Sequence, residues 1–432
     1  MRHDGEGQNR LVLDLFPDTA AVDDGRLTIG GCRLPALADD FGTPLIVYCE
    51  ETLRARARAY CAAAPDALVV YGTKAFPNVA LLRLFAEEGL GADVSTLGEL
   101  AFARRAGMPG DRLVVHGNNK TDAELRAAAD AGAAFVVLDS LEEIPRAAAA
   151  GVRRTLVRIT PGIEAETHES IRTGHVGSKF GLPAEDAIGA VAEARVAGLE
   201  VAGVHVHIGS DLRDLTAAEA TIDWLGAFAV ACRAELGWTP NVVDLGGGLA
   251  TRSVPEDVVP SIADYARGLV ERFEAAWGLH DLPRARLVLE PGRSLVAEAG
   301  VTLYRVGVVK RASETVTYVA IDGGMSDNPR PQLYGARQTA LLANRPEEPT
   351  AGQYAVCGKH CEAGDVLISD VSLPDPHRGD VLAVPGSGAY TLGMASNYNG
   401  VPRPAAVLVA DGEATLIRRR ETVEDLLAYE AS

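Results

Sequence analysis

A chain of 432 residues, 47% apolar and 23% charged, fits one large domain plus a second of about 150 residues, with an ordinary globular balance. Its net charge of -18 argues against nucleic acid or an anionic membrane as partner. Six cysteines (Cys32, Cys49, Cys61, Cys232, Cys357 and Cys361), which complete no zinc motif, point to a reduced, cytoplasmic protein rather than a disulfide framework. The opening MRHDGEGQNR has no apolar run behind its charges, so no signal peptide is expected, and no apolar stretch approaches a membrane span.

In chain order, RLTIGGCRLPAL comes first, a hairpin-like strand within segment 10–42 and outside the rhythm that follows. Eight apolar, β-branched runs then recur: ALVVYGT, GLGADVS, RLVVHG, AFVVLDS, TLVRIT, VAGVHVHIG, NVVDLGG and RLVLEPG. Stretches such as NVALLRLFAEEG, LGELAFARRAG and TDAELRAAADAG separate them, with helical apolar spacing and a closing glycine. Strands alternating with helices predict a parallel sheet, and eight units match a closed (β/α)8 TIM-type barrel over 43–295. No G-x-G-x-x-G follows the first strand to favour an open dinucleotide-binding sheet. From about residue 296 strands follow one another with little helix: VTLYRVGVVKR, TVTYVAIDGG, QYAVCGKHC, DVLISDV and AAVLVADGEATLIRRR. They predict a β-rich C-terminal domain over 296–432, joined by the N-terminal strand segment 10–42. Within it DGGMSDNPRPQLYGA, residues 322–336, holds three glycines and two prolines, a composition that suits neither helix nor strand.

Barrel active sites lie at the C-terminal strand ends, and here those ends are polar. Strand one runs into Gly72-Thr73-Lys74, strand two ends at Asp93 and Ser95, and strand three at His116. Strand six carries His205, His207 and then Ser210, strand seven Gly246, Gly247 and Gly248, and strand eight Glu290 to Arg293. A lysine in a barrel mouth is partly desolvated, which lowers its pKa and frees the amine for Schiff-base chemistry; a lone lysine there otherwise snorkels to solvent. The triple glycine offers backbone N–H groups to a phosphate, where three glycines elsewhere mark a tight turn. Glu290 could keep a pyridine nitrogen protonated, or simply pair with Arg293. Lysine, cradle and carboxylate together specify pyridoxal 5'-phosphate. The HVH pair could instead ligate a metal, recruiting His116, His168 or His175, but no informative spacing completes such a site, and no metal is expected.

YGTKAFPN, GADVSTLGELAFARRAG, HGNNKTDAEL, RITPGIEAETHESIRTGHVGSKFG, HVHIGS, DLGGG, LEPGRSLV, DGGMSDNPRPQLYGA, GKHCEAGD and GAYTLGMASNYNGVPRP, in that order over about 40–410, resemble the diaminopimelate decarboxylases. The resemblance implies that Lys74 carries the cofactor covalently, that His207 stacks on its ring, and that Ser210 with Gly246–Gly248 binds its phosphate. Glu290 would face the ring nitrogen, with Gly292 and Arg293 approaching the phosphate and Asp93 among the cofactor residues. Cys361 would donate the proton, reaching in from a second subunit of a homodimer with shared sites. Arg293, Arg330, Tyr334, Glu362 and Tyr390 would hold the substrate, Tyr390 also touching the cofactor. An amino acid would displace Lys74, lose CO2 and take a proton back at the α-carbon. The expected function is decarboxylation of meso-2,6-diaminopimelate to L-lysine, the last step of lysine biosynthesis. A related decarboxylase of another amino acid or of carboxynorspermidine would share fold and cofactor; Glu362 stands where ornithine decarboxylases have Asp. A non-enzymatic homologue would typically have lost Lys74 or Cys361. Glu166 departs from the His usual in relatives and could alter a loop near the substrate mouth.

Overall fold

The structure is a computed structural model and describes residues 11–163, 178–207 and 209–431. The segment around Glu166, His168 and His175, and Ile208 of HVHIGS, lie outside the described residues. Two compact units form: Met1–Ala55 with Thr251–Val258 and Leu295–Ser432, and Arg56–Ala250 with Val259–Ser294. Among the described residues no helix is long and apolar enough to cross a membrane.

The first unit opens with a small antiparallel sheet of β1 (Ala21–Asp23), β2 (Arg26–Ile29) and β3 (Cys32–Arg33). Asp24 and Gly25, both at positive φ (50° and 64°), make the two-residue turn between β1 and β2, the geometry that matches strand twist. Helix Leu34–Phe41 follows, burying Leu34, Leu37 and Ala38 at i, i+3 and i+4. Then β4 (Leu45–Cys49), buried at all five residues, lies between two strands of a larger sheet described below.

The second unit is the barrel. Its strands are β5 (Leu68–Gly72), β6 (Gly91–Val94), β7 (Leu113–Val115), β8 (Phe135–Leu138), β9 (Arg154–Thr160), the two-residue β10 (Leu182–Pro183), β11 (Glu200–His205), β12 (Val242–Asp244) and β13 (Arg286–Leu289). All pair in parallel, in the order β9-β11-β12-β13-β5-β6-β7-β8, and β8 pairs with β9 to close the ring; β10 only extends β9. These are the eight runs expected. Buried on both faces, such strands read as continuous apolar stretches, and Leu68, Val70, Val114, Phe135, Leu156 and Val288 share one core cluster. The connecting helices begin where side chains satisfy their free N–H groups. Asn78 accepts from Ala80 and Leu81, and Thr121 with Glu124 forms a capping box.

The larger sheet of the first unit contains β14 (Gly300–Arg311), β15 (Thr317–Ile321), β16 (Leu341–Leu342), β17 (Gly352–Cys357), β18 (Val366–Leu373), β19 (Val381–Val384), β20 (Ala405–Ala410) and β21 (Glu413–Arg418). Its order is β18-β17-β15-β14-β4-β20-β21, with β19 pairing β14 and β16. The twelve-residue β14 is the spine: its first half meets β4 and β19, its second half β15. One expectation changes here. Residues 43–49, assigned to the barrel on sequence, supply β4 at the centre of this sheet. A five-residue apolar run looks the same in either setting; only its partners decide. The RLTIGGCRLPAL strands, which form the small sheet, belong to the same unit and share its core. The loop 322–336 also holds one helical turn, Arg330–Tyr334, with Pro331 in its first turn and Gly335 closing it at φ 60°. Proline is tolerated where the N–H has no helical partner, and glycine at a left-handed cap.

Candidate active site

The barrel site is built from strand ends. β5 passes into one turn of 3-10 helix, Thr73–Ala75, which lifts Lys74 out of the strand. Lys74 Nζ donates to Asp93 Oδ2 at 3.0 Å; the lysine side chain is half exposed and that of Asp93 is buried. The other Asp93 oxygen is buried without a hydrogen bond and lies 3.8 Å from His116 Nε2. His116 Nε2 in turn lies 2.6 Å from Glu290 Oε1, and His205 Nε2 is 3.5 Å from Glu290 Oε2. The two imidazoles meet edge-on, with centroids 4.8 Å apart.

This arrangement sets the charges. Burial works to raise the Glu290 carboxyl, but His116 and His205 together outweigh it and hold Glu290 well below the usual carboxylate range. Asp244, at the end of β12, goes the other way: burial first, then the Glu290 charge, push it well above the usual range against one bond from Gly246 N–H. The pair therefore consists of an ionised Glu290 beside a protonated Asp244. Burial also drives His205 down to about 4 and His207 well below its ordinary value, so both imidazoles are neutral near pH 7.

The three glycines after β12 cannot be anything else. A Cβ on Gly246 would lie 2.4 Å from His207 Nδ1, one on Gly247 2.3 Å from Glu290 O, and one on Gly248 2.5 Å from Gly209 O. His207 Nδ1 accepts from Gly247 N–H at 3.4 Å. Leu212 bridges to Leu249, with Leu212 N–H donating to Gly248 O at 2.8 Å, which brings the Ser210 segment beside the glycine run. Gly72 N–H donates to Pro291 O at 3.0 Å, holding the Pro-Gly-Arg turn against the lysine segment. A half-exposed amine, a side-chain-free backbone cradle, a buried ionised carboxylate and a neutral imidazole fit the aldehyde, phosphate, ring nitrogen and ring face of pyridoxal 5'-phosphate.

His116, His205, Asp244 and Glu290 also present ligand atoms within 4.8 Å of one another. The 2.6 Å separation of His116 and Glu290 is a hydrogen bond, shorter than the roughly 3.3 Å between two donors on one tetrahedral zinc. The HVH histidines, expected to share a face, serve different partners: His205 the Glu290 cluster, His207 the glycine run.

The remaining predicted residues belong to the first unit. Arg330 is buried, its Nη1 donating to Gly386 O at 3.2 Å, and Tyr334 OH lies 3.9 Å from Met394 Sδ. Cys361 is exposed, and its N–H donates to Asn399 Oδ1 at 2.9 Å. Glu362 Oε1 accepts weakly from Gly364 N–H at 3.4 Å. Tyr390 adopts φ 57°, a strained value for a bulky residue and a mark of functional positions.

Sequence reasoning missed Asp244 and Arg158, and it missed His116 as the partner of Glu290. Arg158 is buried on β9, with its Nη1 3.4 Å from Oδ2 of Asp139, the residue after β8, and its guanidinium 4.5 Å over the Phe180 ring. The one signal was a charged residue inside an apolar run, in LVRIT and NVVD, since such residues are buried only when paired.

Residues 50–297 match the pyridoxal-dependent decarboxylase family model, pyridoxal binding domain. Fold and site thus define a pyridoxal-dependent decarboxylase of the barrel type. The chain is 43% identical over 433 residues to the diaminopimelate decarboxylase of Actinosynnema pretiosum subsp. auranticum, covering 98% of this chain and 97% of that protein. It is 40% identical to that of Halalkalibacterium halodurans, covering 93% and 94%. The crystal structure of diaminopimelate decarboxylase from M. jannaschii in complex with L-lysine matches with TM-score 0.89 at 34% identity, covering 96% and 98%. The chain belongs to the diaminopimelate decarboxylase family.

Proposed function

We propose that this protein decarboxylates meso-2,6-diaminopimelate to L-lysine and CO2 with pyridoxal 5'-phosphate, the last step of lysine biosynthesis, in the cytoplasm. The observation that carries the reading is the Lys74–Asp93 pair facing an ionised, buried Glu290 at one barrel mouth, in a chain similar to diaminopimelate decarboxylases over nearly its whole length.

When bound, the cofactor supplies the electron sink that makes loss of CO2 from the α-carbon feasible. Lys74 holds the cofactor, with Asp93 orienting its amine. Glu290 keeps a proton at the ring nitrogen, and the His116 bond stops the carboxylate from taking that proton. Gly246–Gly248 with Ser210, Gly292 and Arg293 would seat the phosphate, the side-chain-free glycine run letting it come close to the backbone and Arg293 supplying charge. His207, neutral and oriented by Gly247 N–H, is the residue that would stack on the cofactor ring. Arg330 would grip a substrate carboxylate through its planar fork, and Arg293, Tyr334, Glu362 and Tyr390 are the further residues proposed to contact the substrate. Cys361 returns the proton to the α-carbon, each site being shared between the subunits of a homodimer.

CO2 release by the purified, cofactor-loaded protein tests the reading across meso-diaminopimelate, L-ornithine, L-arginine, L-lysine and carboxynorspermidine. Release from diaminopimelate alone, with lysine formed, is the expected result. Release from a different member only would reassign Arg330 and Glu362 to another ligand.

A further inference from the structure

The turn that carries Cys361 and the loop that carries Arg330 and Tyr334 meet at one buried carboxylate, Asp365. Its Oδ1 accepts from Met325 N–H at 2.7 Å, on the loop side. Its Oδ2 accepts from His360 N–H at 3.0 Å and from His360 Nδ1 at 2.7 Å, on the thiol side. Two glycines make room for it. A Cβ on Gly358 would lie 2.1 Å from Oδ2, and one on Gly324 2.6 Å from both oxygens. Lys359 N–H donates to Gly323 O at 3.0 Å and adds a second tie between the segments.

His360 directly precedes Cys361, and its ring is fully enclosed. It stacks on Tyr398 with centroids 5.8 Å apart and planes 22° apart. The residue after that tyrosine, Asn399, holds the Cys361 amide. Cys361 is therefore pinned on both sides, through the ring before it and through its own N–H, while the residue itself stays exposed.

We infer that Asp365 and His360 are positioning residues for the Cys361 thiol, locking it at a set offset from the substrate-gripping loop. This rests on the reading of Cys361 as proton donor. Chemically it is a matter of orientation: a group misplaced by about 1 Å loses on the order of a hundredfold in rate. A carboxylate accepting three N–H bonds from two segments is a stiff way to prevent that.

Four variants divide the roles. His360→Asn keeps a donor where Nδ1 stands; His360→Gln removes it. Asp365→Asn keeps an oxygen for Met325 N–H but turns an NH2 group toward the two His360 donors; Asp365→Ala releases both sides. In the cofactor-loaded enzyme, kcat should fall on the order of tenfold to a hundredfold in His360→Gln and Asp365→Asn, with KM and cofactor absorbance kept. His360→Asn should restore turnover, and Asp365→Ala should raise KM as well. The rate of iodoacetamide alkylation at Cys361, followed against pH by peptide mass spectrometry, should shift in His360→Gln and Asp365→Asn and return in His360→Asn. A purely stabilising ion pair would lower only the unfolding midpoint, and unchanged kcat and alkylation in the folded variants would overturn the inference. Cys361→Ala run alongside separates the two readings: normal turnover there removes the thiol from the reaction, whereas slow turnover there with normal His360→Gln and Asp365→Asn refutes the positioning role alone.

Discussion

Asp327 anchors the loop that carries Arg330, and it should make the stability of the protein fall as pH rises through neutrality. Tyr304 OH donates to its Oδ1 at 2.5 Å and Gly324 N–H to its Oδ2 at 2.7 Å. Burial lifts its carboxyl to about 7 against those two bonds, with repulsion from Asp322 and Asp365 adding to the lift. An aspartic acid in an unfolded chain titrates near about 3.9, so over the interval between the two values the folded state holds a proton that the unfolded state has lost. The folded value is the raised one. Its contribution is therefore fully present below about pH 3.9 and is lost as pH rises through about 7. Between about pH 5 and pH 8 the loss for this single group comes to about 2.5 kcal/mol. Asp327→Asn has no proton to lose. Its stability relative to the wild type should therefore improve by about that amount over the same interval, whatever constant offset the amide introduces. Urea unfolding of both proteins at about pH 5 and about pH 8 measures the gap, and titrating groups that do not interact with Asp327 cancel in the difference. A gap that stays constant to within about 0.5 kcal/mol would show that Asp327 titrates normally and that the loop is not closed over it.

Lys74→Ala should abolish the visible absorbance of the protein–cofactor adduct, and unchanged absorbance would move the attachment point elsewhere. Gly247→Ala should weaken cofactor binding by at least about tenfold in an equilibrium titration, because its Cβ would fall 2.3 Å from Glu290 O and the strand ends must part. Wild-type affinity there would mean that the cradle is not where the phosphate sits. Lys120, almost fully buried, donates to Gly117 O and Val137 O at 2.7 Å and pairs with Glu143 at 2.9 Å. Lys120→Ala leaves that carboxylate buried and unpaired and should cost about 3–5 kcal/mol in urea unfolding; a loss under about 1 kcal/mol would contradict a dry pair.

The barrel was legible because parallel strands buried on both faces must be written as short apolar runs, and helices at their own period must separate them. Lys74, the triple glycine and Glu290 stood out because polar residues at strand ends interrupt that text.

What the residues could not declare is which distant groups they answer to. Glu290 had Arg293 as its nearest sequence neighbour of opposite charge, yet its short bond is to His116, 174 positions away. The two histidines of HVH parted company for the same reason, one drawn into the Glu290 cluster and the other to Gly247 N–H. Residues 45–49 are apolar enough for either sheet, and hydrogen-bond partners on β14 and β20 settled the choice. Asp365 reads as one more turn aspartate until folding sets Met325 and His360 against its two oxygens. Strand and helix are decided by spacing along the chain, but proton states and positioning bonds depend on distance in space, which only the folded chain defines.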